Sequence, residues 1–409
     1  MKKLLSVVLA LLMLAVMLPV TAMAEDTDYC TIEGITEADG TTLKHFDTLT
    51  AAAKAWRESK KIVTEGPTLG GHPTELTEVE SIVWTIYGTV PTGDGAGVIG
   101  TSGSILDGGY TGNVQGNAVK IKKVIVNGEN NAIIAKTGSE YLVCAGANEV
   151  QYTGITFTDQ FKFNSNPPKA TFSNCKFEAG FYMPHADANG SDIVVESCTI
   201  TGANAHGYGI FVQGNKLNSV KLNNNQISNA KCGINVQDFS ASAIVEITGN
   251  TITNLTGKDA NGGKYGSAIQ LTSGASFTVT DNIINIANGL NAFQLYEGLT
   301  AEVTISNNKV TADYLIWNQA PETTTISSAD NTLNIKNANL ANAKGELVPD
   351  ETVINKAAPT QIVIITPAGD TPKTEDQKNP STGANDMVAA AAALMAVSAL
   401  GMAVLSRKK

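Results

Sequence analysis

Apolar and polar residues alternate along short segments that recur through the middle of the chain. The alternation is clearest at 220–222, 245–247, 277–279 and 303–305. A period of two residues indicates strands with one buried face. A second set of alternating segments recurs between the first, at 209–213, 233–237, 268–272 and 292–296. No helical pattern separates the two sets, so the segments predict a repeated unit built from strands.

A five-residue motif marks the same point in each repeat. Its copies are spaced 20 to 32 residues apart. This period, with two or three short strands per repeat, predicts a parallel β-helix whose coils stack at about 4.8 Å. Asn tolerates a tight left-handed corner, and stacked Asn side chains hydrogen-bond along the stack. The central position of the motif is occupied by Ile155, Cys175, Cys198, Asn225, Asn250, Asn282, Asn308 and Asn331.

Over residues 96–345 this pattern resembles the right-handed parallel β-helix proteins of the pectate-lyase-like superfamily. The resemblance implies an all-β fold, a single right-handed parallel β-helix (a solenoid). We expect residues 25–95 to form an N-terminal α/β cap, because solenoid ends expose strand edges and need covers. In that region 47–56 has the pattern of an amphipathic helix and 82–87 that of a strand.

The N-terminus has the features of a secretory signal peptide. Lys2 and Lys3 precede an apolar stretch at 4–20, and Ala22-Met23-Ala24 provides small residues for cleavage. Segments of this kind are removed from the mature protein. We therefore assign 1–24 as the signal peptide, with cleavage between Ala24 and Glu25.

The C-terminus carries Asn379-Pro380-Ser381-Thr382-Gly383, an apolar run at 387–405 and a basic end at 407–409. Segment 379–409 resembles the sorting signal of Gram-positive surface proteins. The resemblance implies that a sortase cleaves between Thr382 and Gly383 and joins the protein to peptidoglycan. The chain would then be extracellular, covalently anchored to the cell wall, and in the membrane only transiently.

Two points about the C-terminus stay open. The apolar run is about long enough to cross a bilayer, so an ordinary membrane anchor is the alternative. The motif begins with Asn where the commoner form has Leu, which leaves the sortase class undecided. Residues 346–378 form a C-terminal region that includes a Pro/Thr-rich wall spacer.

The charge balance argues against some partners. The chain has 28 Lys and Arg against 38 Asp and Glu, a formal net charge of −10. The predicted exported part is more acidic, because it loses five basic residues and one acidic residue with the terminal segments. No basic stripe is visible, so nucleic acid and anionic membrane surfaces are poor partners.

The five cysteines are an odd number, so at least one thiol is unpaired within a monomer. Cys175 and Cys198 occupy successive positions of the repeat column. They are either stacked core thiols or a disulfide between adjacent coils. No C-x-x-C motif or Cys/His cluster is present, so the sequence predicts no zinc site and no cofactor.

The second strand of each repeat predicts a column of outward side chains, because Ile210 and Val212 would face inward. Amides and aromatic rings without charge suit the hydroxyl and C–H faces of a sugar chain. The alternative is that the amides only stabilise the stacking of coils. The predicted ligand-binding residues are Tyr182, Phe211, Gln213, Asn235, Gln237, Gln270, Gln294, Tyr296 and Trp317.

A catalytic site is harder to find. The resembling pectate lyases use an outward Arg or Lys base beside calcium-binding carboxylates, and the only exported Arg is Arg57 in the predicted cap helix. The resembling polygalacturonases carry N-T-D, D-D, G-H-G and R-I-K motifs, which Ala205-His206-Gly207 matches only in part. The weak catalytic candidates are Lys162, Asp159 and His185.

Calcium is a further possibility at two Asp-Ala-Asn-Gly segments, which begin at Asp187 and Asp259. Both lack the later carboxylates of a full calcium loop, and Asn-Gly is above all a turn signal. The sequence as a whole favours adhesion to a host surface or binding of an extracellular polysaccharide. A polysaccharide lyase or glycoside hydrolase and a surface spacer remain the alternatives.

Overall fold

The structure is a computed structural model, and it describes most of the predicted repeat region. All described residues lie within 1–365. They are 28–60, 75–92, 117–135, 149–158, 161–162, 169–183, 190–214, 217–238, 242–257, 266–272, 276–287, 289–299, 302–321, 323–337, 339–341, 347–349 and 361–363.

Strands dominate this part of the chain, which contains one helix, α1 (Leu49–Ser59). The strands are β1 (Tyr29–Ile32), β2 (Glu75–Pro91), β3 (Asn117–Ala135), β4 (Glu149–Thr153), β5 (Thr156–Phe157), β6 (Phe161–Lys162), β7 (Lys169–Ser173), β8 (Lys176–Phe177), β9 (Phe181–Met183), β10 (Ser191–Glu196), β11 (Thr199–Thr201), β12 (Tyr208–Gly214), β13 (Leu217–Asn223), β14 (Gln226–Ser228), β15 (Cys232–Asp238), β16 (Ile244–Thr248), β17 (Thr251–Thr253), β18 (Ser267–Leu271), β19 (Ser276–Thr280), β20 (Ile283–Asn285), β21 (Asn291–Leu295), β22 (Val303–Ser306), β23 (Lys309–Asn318), β24 (Ile326–Ala329), β25 (Thr332–Asn337), β26 (Asn339–Ala341), β27 (Leu347–Pro349) and β28 (Gln361–Val363).

Each coil contributes one strand to each of three parallel sheets. Sheet I contains β4, β7, β10, β13, β16, β19, β22 and β24. Sheet II contains β5, β8, β11, β14, β17, β20, the start of β23, and β25. Sheet III contains β6, β9, β12, β15, β18, β21, the end of β23, and β26. The predicted parallel β-helix is therefore confirmed.

Parallel strand pairing extends beyond residues 96–345, the range predicted from the repeats. β2 pairs in parallel with β3 along most of its length, although it precedes residue 96. At the other end β28 pairs with β25, after residue 345. Neither β2 nor β28 carries a copy of the five-residue motif, so the motif alone did not reveal these two strands.

The predicted cap helix is present. α1 begins at Leu49, and Leu49, Ala53 and Trp56 are buried together with Phe46. These side chains belong to the same apolar cluster as the interior of the coils. Beside the helix, β1 pairs antiparallel with β2, so the first long strand has a partner on its outer edge.

The column of Asn residues forms a buried ladder between sheets I and II. In each step the Oδ1 atom of one Asn accepts hydrogen bonds from the backbone N–H and the Nδ2 atom of the Asn in the preceding coil. The Nδ2 atom also donates to a strand carbonyl, as Asn250 does to Leu222 at 2.7 Å. The predicted stacking of this column is confirmed.

The corner itself differs from the expectation in one respect. The left-handed backbone lies one residue before the column, at positions such as Asn224 (φ 55°), Asp281 (φ 58°) and Asn307 (φ 55°). The column residue is free to aim its side chain inward because its neighbour makes the tight bend. Short polar residues and Gly are the types that tolerate this conformation.

Cys175 and Cys198 continue the same column as free, buried thiols. The Sγ atom of Cys198 lies 3.4 Å from the backbone N–H of Cys175, where an Asn Oδ1 would accept in later coils. The hydrogen bond with Cys175 and burial raise the pKa of the Cys198 thiol. Of the two alternatives, the structure has stacked thiols. Cys144 lies outside the described residues.

Among the described residues no helix is long and apolar enough to cross a membrane. The proposed signal peptide, with Ala24 and Glu25, and the sorting segment, with Thr382 and Gly383, lie outside the described residues.

Candidate functional site

The outer side of sheet III carries the predicted column of side chains in the predicted order. Strand register pairs each member with the next, as far as Gln294 with Trp317. Lys162 also precedes Tyr182 in this register. We use the name central column for the six residues from Tyr182 onward: Tyr182, Phe211, Asn235, Gln270, Gln294 and Trp317.

The exposure of the central column differs from the prediction. Phe211 is 5% exposed, and Asn235, Gln270 and Gln294 are fully buried. Tyr182 and Trp317, at the two ends, are half-buried. The predicted column of outward side chains is therefore not exposed to solvent across all the coils. Strand alternation shows which way a side chain points, but it does not show what covers that side chain.

Two flanking columns run beside the central one. Gln213, Gln237 and Tyr296, which were predicted as ligand-binding residues, lie on one side and are half-buried. On the other side lie Tyr208, Cys232, Ser267, Asn291 and Tyr314, most of them joined by strand register.

Sequence reasoning missed the column that begins with Tyr208, because the alternation of inward and outward residues is interrupted at the start of the strand. In β12 both Gly209 and Ile210 face the interior, since a Cβ atom on Gly209 would lie 2.6 Å from the Ile227 side chain. Two consecutive inward residues break the period of two and turn Tyr208 outward, where it packs with Phe211 and Cys232. A repeated pair of inward residues before each outer amide was the available signal.

The buried amides of the central column form a chain of hydrogen bonds. Asn235 Nδ2 donates to Gln270 Oε1 at 3.1 Å, and Gln270 Nε2 donates to Gln294 Oε1 at 3.2 Å. The Ser267 hydroxyl lies 3.2 Å from the same Gln294 oxygen. The amides therefore bond to one another along the coils, as the stacking alternative predicted.

An aromatic cluster lies at the N-terminal end of the central column. The His206 ring is 4.8 Å from the Tyr182 ring and 5.6 Å from the Phe211 ring, between centroids. Tyr208 stacks on Phe211 at 5.4 Å. Tyr182 and His206 are half-buried, so this cluster offers accessible aromatic surface at the N-terminal end of the central column.

A well-anchored turn holds His206 in the aromatic cluster. Asn204 is buried, and its Oδ1 atom accepts hydrogen bonds from the backbone N–H groups of His206 and Tyr208. Its Nδ2 atom donates to the Phe181 carbonyl at 3.0 Å. The packing of this turn against the column depends on this contact between coils.

The three outer columns of sheet III are electrically neutral. None of their members is a charged residue type from Phe211 to Trp317. Burial raises the pKa of the Cys232 thiol to about 12. Burial, with Cys232 nearby, also raises the pKa of Tyr296 to about 12. Both groups stay neutral at physiological pH, so this surface does not favour an ionic ligand.

The weak catalytic and calcium candidates fall largely outside the described residues. Only the backbone of Lys162 is described, and Asp159, His185, Asp187 and Asp259 lie outside the described residues. Over the described ranges, no group of three or more His, Cys, Asp or Glu side chains is placed to hold a metal ion.

Comparison with known proteins agrees with the fold. Residues 110–310 match the family model described as right handed beta helix region. No curated protein and no solved structure matched the chain in the corresponding comparisons. The family match and the parallel pairing of successive coils identify this protein as one that carries a right-handed parallel β-helix.

Proposed function

We propose that this protein is a cell-wall-anchored surface protein that binds an extracellular polysaccharide or a host glycan through the outer side of sheet III. A right-handed β-helix fits both pectate-lyase-like and surface-binding proteins. The observation that favours binding is the half-exposed aromatic cluster of Tyr182 and His206 on a neutral surface. Flat rings with polar edges are suited to the C–H faces of sugars.

Because Asn235, Gln270 and Gln294 are buried, a glycan would not contact the middle of the central column. Contacts are available at the two half-buried ends, near Tyr182 and near Tyr296 and Trp317. Tyr182 and Trp317 are five coils apart, which corresponds to about 24 Å at the usual strand spacing. An extended polymer spans such a distance more readily than a small sugar, so we favour a polysaccharide.

The Tyr182→Ala variant tests this proposal. We expect its affinity for a retained polysaccharide to fall about tenfold, because the half-buried ring at the N-terminal end of the column is lost. The purified full-length protein would be incubated with plant, mucin and bacterial polysaccharides, and both retention and new reducing ends would be scored. Retention without cleavage is the expected result.

The matched control is Tyr87→Ala, which removes a half-buried tyrosine from the cap, where Tyr87 stacks on Tyr29 at 4.5 Å. Its retention should equal that of the wild type. Equal retention by Tyr182→Ala would mean that the aromatic cluster is not the binding site. New reducing ends would instead support the lyase or hydrolase alternative.

A surface spacer is a second candidate, which the buried amide chain favours. Asn235, Gln270 and Gln294 bind one another and thereby join coils without any ligand. The same retention assay separates the candidates, since a spacer retains none of the polysaccharides.

We also propose that the C-terminal segment is a sortase signal. Deletion of 379–383 should remove the protein almost completely from the covalent peptidoglycan fraction, because the cleavage point between Thr382 and Gly383 is lost. The measurement is immunoblotting of muramidase-released wall material after extraction in hot detergent. Deletion of 370–374, which shortens the spacer and keeps the motif, is the control and should stay attached. Detergent-soluble protein in the membrane fraction of the wild type would favour an ordinary anchor.

A further inference from the structure

The amide chain of the central column has a direction, and it ends without an acceptor. Gln294 Oε1 accepts from Gln270 Nε2 and from the Ser267 hydroxyl, each at 3.2 Å. Its Nε2 atom is buried and has no hydrogen-bond partner. The Gln294 amide therefore uses its oxygen toward the preceding coil and keeps a buried donor without a partner.

The next member of the column is a residue that only donates. Trp317 is the register partner of Gln294 in β23, and its Nε1 atom is also buried without a partner. An indole has one N–H donor and no acceptor. A buried unsatisfied donor costs about 1–3 kcal/mol, so two of them on register partners in adjacent coils would each be stabilised by an acceptor atom.

We propose that this donor pair, Gln294 Nε2 and Trp317 Nε1, binds the acetamido carbonyl of an N-acetylated amino sugar. The inference rests on the proposed glycan-binding function and names its ligand class. A carbonyl oxygen accepts two hydrogen bonds and brings no proton of its own. A sugar hydroxyl or a water molecule brings protons that need an acceptor, and the Gln294 oxygen already accepts two bonds.

Charge separates the acetamido group from the other strong acceptor of sugars, the carboxylate of an acidic sugar. The outer columns around Gln294 contain no charged residue, and the whole chain has a net charge of −10. Burying an unpaired carboxylate in such a place is costly. A neutral carbonyl avoids this cost, and the acetamido methyl group can pack on the half-buried Trp317 ring.

Access to the donor pair requires a local movement. Gln294 is fully buried, and the Trp317 nitrogen is inaccessible although its ring is half-buried. The acetamido group would therefore replace atoms that now cover the two donors.

The test compares three oligosaccharides with the same β-1,4 backbone and length. The substituent at carbon 2 is acetamido in one, ammonium in the second and hydroxyl in the third. Titration calorimetry with the purified full-length protein should give at least tenfold tighter binding of the acetamido form. Trp317→Phe keeps a ring and removes the N–H, so it should reduce this preference to below threefold. Tyr87→Phe, which removes a hydroxyl group from a ring in the cap, should leave the preference unchanged.

A second measurement needs no variant. Saturation-transfer NMR on the wild type should show the acetamido methyl protons as the most strongly saturated ligand signal. Equal affinity for the three oligosaccharides, or a preference that Trp317→Phe leaves intact, would overturn the acetamido inference while glycan binding stands. Failure of the wild type to retain any polysaccharide of the wider panel would overturn the proposed function itself.

Discussion

Replacement of Asn282 by Leu is expected to lower the free energy of unfolding by about 3–5 kcal/mol, because it interrupts the buried Asn ladder. Asn282 Nδ2 donates to the Ile247 carbonyl at 2.8 Å and to Asn308 Oδ1 at 2.9 Å. Its Oδ1 atom accepts from the backbone N–H and the Nδ2 atom of Asn250. Leu matches the size but leaves several of these buried groups without partners.

Urea unfolding followed by circular dichroism measures this change. Asn285→Leu is the matched control, because Asn285 lies in the same coil with an exposed side chain. The control should shift the unfolding free energy by less than about 0.5 kcal/mol. If both variants unfold at the same urea concentration, the ladder does not contribute the stability that its geometry indicates.

Phe172→Ala is expected to cost about 3–5 kcal/mol, the usual range for removal of a fully buried phenylalanine. Phe172 lies in sheet I and stacks on Tyr152 of the preceding coil, with ring centroids 5.1 Å apart. It also meets Phe177 of sheet II and Phe181 of sheet III edge-to-face, at 6.1 Å and 5.0 Å. The ring therefore joins all three sheets, and its loss would leave a cavity where they meet.

The comparison for Phe172→Ala is Thr171→Ala in the same strand, since Thr171 is half-buried and lies outside the apolar interior. Thermal denaturation of both variants separates the loss of core packing from any general sensitivity of β7. A melting temperature of Phe172→Ala equal to that of Thr171→Ala would show that this aromatic contact is dispensable.

Most of the fold was predictable because the same alternation of inward residues and the same column position recur in successive coils. The alternation of residues such as Val245 and Ile247 assigns the inner side of sheet I, and both are fully buried. The spacing of the Asn column determines the register, which the ladder from Asn225 to Asn331 confirms. The left-handed corner one residue earlier was not predicted, because Asn, Asp, Ser and Gly all occur there.

The candidate site was predictable only in part. The order of the central column follows from strand alternation, and each step from Tyr182 to Trp317 agrees with the register. The stacking of His206 on Tyr182 was not predictable, because it depends on the buried Asn204 side chain between coils. Sequence patterns within one coil carry no information about such contacts.

The sequence by itself determined the parallel coils, the inward columns and the neutral character of one outer surface, because these depend on local alternation and on a repeated corner. Only the tertiary structure decided that Asn235, Gln270 and Gln294 are buried and that their hydrogen bonds run toward Trp317. Burial and hydrogen-bond direction depend on atoms contributed by other coils. The amides of the central column therefore bond to one another between coils, whereas Gln294 and Trp317 at its end keep donors without partners.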